Sequence, residues 1–153
     1  MKYIICLFVC LLFIIIDVKA ADPTICMNPG LKLGYQFGEN GGFVYGLEFS
    51  IMKTIVDYPS FGGKVSIDFC KDNTKLQLGA QVSHILGLYI GPTFYFSENK
   101  TNFGYSVGLY GTVVILPFYE YTKIFDENNF SISQTGVFLV LPVPSNNYHV
   151  SFH

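Results

Sequence analysis

The chain has 153 residues, nine Lys, no Arg, eleven acidic residues and a formal net charge of −2; only 13% of it is charged while 17% is aromatic. That balance excludes a disordered tail protein, and the length suits one domain. With no basic run, nucleic acid is not an expected partner.

Residues 1–20 read as a signal peptide. Lys2 supplies the positive start, residues 3–16 are an unbroken apolar run of 14, and Val18-Lys19-Ala20 places small residues where a signal peptidase inspects them. A spanning helix needs about 20 apolar residues, and Asp17 and Lys19 stop this run short. The expectation is export with cleavage before Ala21, leaving 21–153 as a single domain. The cut removes Cys6 and Cys10 and leaves Cys26 and Cys70, too few for a disulfide scaffold. It also leaves seven Lys against ten acidic residues, a net charge of −3.

The remaining chain alternates with a period of two. Leu31, Leu33, Tyr35 and Phe37 alternate with Lys32, Gly34 and Gln36. Phe43, Tyr45, Leu47, Phe49 and Ile51 follow the same rule around Glu48 and Ser50. The pattern returns at Val65–Ile67–Phe69, at Leu76–Leu78–Ala80–Val82, across 88–96 and at Phe103–Tyr105–Val107–Leu109. Side chains alternate across a strand, so each segment predicts β-structure. Weaker segments at 118–125 and 130–141 bring the number to about eight, which closes a small antiparallel up-and-down barrel.

The connections fit that reading. Gly38-Glu39-Asn40-Gly41-Gly42, Lys71-Asp72-Asn73-Thr74, residues 97–102 and residues 126–129 have hairpin-turn composition and share one rim in a meander. The other rim receives 53–62, a turn near His84, and Leu116-Pro117. A bend near His84 is required, because 21 extended residues from 76 to 96 would span about 70 Å.

The second face of each strand decides the environment. It is rich in Gly, Ser, Gln and Tyr and carries six charges, Lys32, Glu48, Lys64, Asp68, Lys75 and Glu120. A solvated exterior would carry more. A few charges of balanced sign suit the filled lumen of an eight-stranded barrel, which is too narrow for an open channel. Phe37, Phe43, Phe49, Phe69, Phe94, Phe96 and Phe103 would then face lipid, with Tyr35, Tyr45, Tyr105, Tyr119 and Tyr121 at its boundary. The alternative is a soluble secreted barrel that turns Leu33, Leu47, Ile67 and Leu78 inward onto an apolar ligand.

The signal peptide, the Gly-studded strand Leu88-Tyr89-Ile90-Gly91-Pro92-Thr93-Phe94-Tyr95-Phe96 and the meander of about ten-residue units together resemble small bacterial outer-membrane β-barrel proteins, over 29–141. The resemblance implies a monomer in an outer membrane or at the cell surface, with membrane lipid as its surroundings. It implies a surface, structural or interaction role rather than an enzymatic one. A surface partner would meet the rim residues Glu39, Asn40, Asp72, Asn73, Glu98, Asn99, Asp126 and Glu127. Chains of that class often end in a strand with a terminal aromatic residue, whereas here Phe152 is penultimate and Pro142 and Pro144 precede the tail. In a eukaryotic host, Asn99 and Asn129 would instead head glycosylation acceptors, Asn99-Lys100-Thr101 and Asn129-Phe130-Ser131.

Reactive constellations are sparse. His149 and Ser151 would share a strand face and resemble the pair of outer-membrane lipid deacylases, but the orienting acid of a triad is missing from the two positions after Ser151. Glu48 and Asp68 as an acid–base pair are less expected than ion pairs with Lys32 and Lys64, because buried charges need partners. His84, His149 and His153 lack metal-ligand spacing, and Cys26 and Cys70 form no CxxC, so neither a metal nor a cofactor is expected. The barrel puts Cys26 and Cys70 at opposite rims, beyond the ~7 Å that a disulfide spans.

Overall fold

A computed structural model describes residues 24–38, 41–54, 59–97, 100–111, 115–126 and 129–144. They form β1 (Thr24–Gly38), β2 (Gly42–Thr54), β3 (Ser60–Cys70), β4 (Asn73–Ser83), β5 (Leu86–Ser97), β6 (Lys100–Gly111), β7 (Ile115–Phe125), β8 (Ser131–Val140) and β9 (Val143–Pro144). From β1 to β8 each strand pairs antiparallel with the next, and β1 pairs with both β2 and β8, so the sheet closes on itself as an eight-stranded barrel. β9 continues β8 along β1 in the same register, Met27 facing Val143 as Gly30 faces Val140. The gap between them holds Pro142, which has no N–H for the ladder. The tail beyond strand eight is therefore still paired with β1 at Val143–Pro144.

The ladder fixes the barrel's shape. From Gln36 the pairing runs through Gln134, Glu120, Gly108, Tyr89, Gln81, Gly62 and Met52 and returns to β1 at Cys26, ten residues from its origin. With about 3.3 Å per residue and about 4.8 Å between strands, that stagger tilts the strands by about 40°. Strands of 10–13 residues, as β2 to β8 are, then stand about 25–33 Å tall.

The strands are longer than the alternation indicates. β1 begins at Thr24 rather than near residue 31, and Leu116 and Pro117, expected in a turn, lie within β7. Asn73 and Thr74 likewise belong to β4, leaving Lys71-Asp72 as the turn. Phe130 precedes β8 instead of opening it, and its ring packs edge-on against Tyr95 at 5.6 Å. At the rims both faces of a strand meet polar surroundings, so pairing continues where apolar alternation has stopped. The turn near His84 is tight, with Ser83 ending β4, Leu86 opening β5 and the His84 amide donating to the Leu86 carbonyl at 3.1 Å. On the opposite rim Gly38, at φ 102°, takes a backbone conformation that a side chain would strain. Cys26 and Cys70 are not bridged to each other.

Candidate functional site: the filled lumen

Burial follows the strand period throughout the described residues, and it separates the charges cleanly. Lys32, Glu48, Lys64, Asp68, Lys75 and Glu120 point into the barrel, while Lys53, Lys71, Asp72, Lys100, Lys123 and Asp126 lie at or near the rims. None of the described charged residues lies on the outer belt between the rims.

Inside, Lys32 and Lys75 meet Asp68 and Glu120. Lys32 Nζ lies 2.6 Å from Asp68 Oδ2 and 3.4 Å from Glu120 Oε2; Lys75 Nζ lies 3.0 Å from Asp68 Oδ2 and also donates to Glu120 Oε1. Both ammonium groups donate to Gln134 Oε1, at 2.9 and 2.7 Å, and the Gln134 amide donates to Gln36 at 3.0 Å. The Tyr89 hydroxyl donates to Glu120. Buried charges of this kind are tolerable only when paired and hydrogen-bonded, and each of the four has at least two polar partners here. Lys64 forms a separate pair with Glu48 at 2.8 Å, its Nζ over the Tyr89 ring at 3.5 Å. The hydroxyls of Thr93, Ser106 and Thr122 form a chain at 2.7 Å per link on the far side of the cluster.

Aromatic layers flank these charges. Phe118 and Phe138 stack at 4.4 Å, Tyr110 meets Phe138 edge-on, and Lys32 Nζ sits 4.7 Å from the Phe118 ring centre. At the other end Tyr95, Ile124 and Ile132 pack together under Phe130. The inward positions of Phe118 and Phe138 were not assigned from the sequence. Each lies an even number of residues from Glu120 or Gln134, and that parity would have found them.

A cavity of about 270 Å³ opens at the rim where β1 begins and β8 ends, lined by Asn28, Glu48, Ser50, Gln81, Ser83 and Tyr110 among others. Of the rim residues expected to meet a partner, Asp72 is exposed and Asp126 half-buried, whereas Asn73 is buried, 6% exposed, at the start of β4. Glu39, Asn40, Glu98, Asn99 and Glu127 lie outside the described residues, as do His149, Ser151, His153 and residues 1–20. Asn129, within them, adopts a left-handed backbone at φ 49° and closes the turn from Asp126. Among the described residues no group of three or more His, Cys, Asp or Glu could hold a metal ion.

No family model and no curated protein matches the chain. Among solved structures it is similar to Neisserial surface protein A, at 11% identity and a TM-score of 0.45, over 76% of this chain and 96% of that one. It is also similar to a de novo designed transmembrane β-barrel, at 15% identity and a TM-score of 0.41, over 78% and 98%.

The barrel's own exterior defines its surroundings. Among the described residues 29 large apolar side chains are exposed, Leu33 at 39%, Leu47 at 55% and Leu78 at 45%. The soluble alternative needed those side chains, with Ile67, to face inward; all four face out, because the opposite parity is occupied by the charges and their partners. Water-soluble monomers rarely expose apolar patches beyond a few hundred Å². An uncharged apolar wall of this height around a polar interior is the arrangement of a membrane β-barrel.

Proposed function

We propose that the protein is an exported outer-membrane β-barrel with a structural or surface role and no enzymatic one, its lumen a packed plug rather than a conduit. The observation that carries this reading is the cluster of Lys32, Asp68, Lys75 and Glu120, enclosed between the layer of Phe118 and Phe138 and the layer of Tyr95, Ile124 and Ile132. Eight strands give room for side chains and little else, and here the side chains bond to one another. A satisfied polar network stiffens a core and specifies a single arrangement of it.

Membrane lipid is the partner this reading supplies. The described turns are short, Lys71-Asp72 between β3 and β4 and His84-Ile85 between β4 and β5. Partners would therefore meet rims and walls rather than long loops, with Asp72 and Asp126 among the residues offered. The test is fractionation of the native protein with and without detergent, gel mobility before and after boiling, N-terminal sequencing, and conductance in a planar bilayer. The expected result is recovery only in detergent, a band that shifts on heating, a mature chain beginning at Ala21, and no steady conductance. Recovery in the aqueous fraction overturns the membrane assignment, and a steady ohmic conductance overturns the plug.

A further inference from the structure

The inward acids Glu48, Asp68 and Glu120 are not equally paired. Asp68 Oδ2 receives two ammonium groups, Lys32 at 2.6 Å and Lys75 at 3.0 Å, and the Glu120 carboxylate receives the same two. Among the described residues Glu48 receives one, Lys64 Nζ at 2.8 Å from Oε2. A carboxylate offers about four acceptor positions, and Lys64 fills one of them. The Glu48 side chain points into the barrel and is 9% exposed, so what stays open of it faces the lumen.

That open side belongs to the cavity of about 270 Å³ at the rim where β1 begins and β8 ends. Among the described residues that line it, Glu48 alone carries a charge. Ser50 and Gln81, each 5% exposed, add a hydroxyl and an amide, while Met52, Leu116 and Val140 form an apolar side. Glu48 lies deeper than Ser50 and Met52, because β2 runs towards this rim. Leu116 and Val140 also pack on the layer of Tyr89, Tyr110, Phe118 and Phe138, so the cavity is a well that ends on that layer. Its volume is that of about nine waters. An apolar pocket with a few convergent polar groups is the usual form of a small-molecule site. A half-used carboxylate deep in the well calls for a donor with positive charge, and the apolar side calls for a hydrocarbon stem.

We propose that this well binds a primary ammonium on a short unbranched hydrocarbon, its nitrogen on the Glu48 carboxylate and its stem against Met52, Leu116 and Val140. Glu48 is then shared by two ammonium groups, as Asp68 and Glu120 already are. The ligand is a free amine; a lysine side chain has the same chemistry and is told apart by the test. This goes beyond the structural role above and gives the barrel a ligand, while the lumen past the aromatic layer stays filled.

The test uses the purified protein in a non-ionic detergent, titrated with n-hexylammonium, with 1-hexanol and with Nα-acetyl-lysinamide, and read by the methyl NMR signals of Leu116 and Val140. The methyls of Leu47, on the outer wall, report uptake by the micelle, and heat-shifted gel mobility reports the barrel itself. The Leu116 and Val140 signals are expected to shift saturably with n-hexylammonium, at a concentration at least about tenfold below that needed for 1-hexanol, the effect of one charge-assisted hydrogen bond. Leu47 is expected to show no saturable shift. Glu48→Gln is expected to erase the difference between amine and alcohol. Val140→Phe, which fills the apolar side and leaves every charge in place, is expected to abolish the saturable shift of Leu116 with both. The heat shift is retained in each variant.

Equal half-saturation by amine and alcohol, in a sample that shifts on heating, overturns the site and leaves the barrel standing. A preference for the amine that survives Glu48→Gln overturns it as well, and so does saturation of Leu116 in Val140→Phe at the wild-type concentration. Nα-acetyl-lysinamide that saturates below n-hexylammonium overturns the free amine in favour of a lysine side chain. Glu48→Gln leaves Lys64 without its carboxylate; should that variant lose its heat shift, Val140→Phe and the wild-type comparison of amine with alcohol decide.

Discussion

Lys32 on β1 and Asp68 on β3 are ion-paired at 2.6 Å although β2 runs between them, and the residue of β2 that pairs with both is Gly46. The missing side chain is the space through which the two charges meet. A Cβ at Gly46 would lie 2.5 Å from the Ile67 carbonyl oxygen and 2.7 Å from Asp68 Oδ1. The same device recurs across the lumen, where Gly108 is the ladder partner of both Tyr89 and Glu120 and the Tyr89 ring lies over it to reach the carboxylate.

Gly46→Val is therefore expected to separate Lys32 from Asp68 and to destabilise the barrel by about 1–3 kcal/mol, the usual range for overpacking. Urea titration of the protein in detergent micelles, followed by the unheated gel band, checks it. A midpoint unchanged from wild type would show that the space over Gly46 is not needed.

The four central charges balance in pairs. Lys32→Met alone leaves Asp68 and Glu120 with only Lys75 between them and is expected to cost about 3–5 kcal/mol. Lys32→Met with Asp68→Leu restores the balance and is expected to cost less than the single change. A double-mutant cycle in urea measures the coupling; strict additivity would mean that the pair does not act as one unit.

Gly108→Ala is expected to be strongly destabilising because the new methyl would enter the space of the Tyr89 ring. The same substitution made in a Tyr89→Leu background is expected to cost less than half as much. Equal costs in the two backgrounds would place the strain in the backbone rather than at the ring.

On the outer wall the cost of a charge should follow depth. Leu47→Lys, near the middle of β2, is expected to cost about 2–4 kcal/mol in a lipid bilayer, and Phe43→Lys, near the rim, about 0–1 kcal/mol. Reversible folding into vesicles gives both values. Two small and equal costs would mean that the wall faces water.

The alternation of residues by itself determined the all-β class, the number of strands and the parity that sends Leu47 outward and Glu48 inward. Those features are local, since a strand's period of two is written into consecutive residues. It also marked the six inward charges, because Lys, Asp and Glu stand out against Gly and Ser on that face. It did not mark the strand ends, where polar residues on both faces erase the period. It left Phe118 and Phe138 unplaced because they stand in weakly alternating segments. The partners were beyond its reach altogether. Lys32 meets Asp68 over Gly46, and Lys75 meets both carboxylates, only because the closed sheet returns to β1 ten residues along. That stagger is set by pairing between strands far apart in the chain, and a one-residue slip in any ladder would exchange its inner and outer faces.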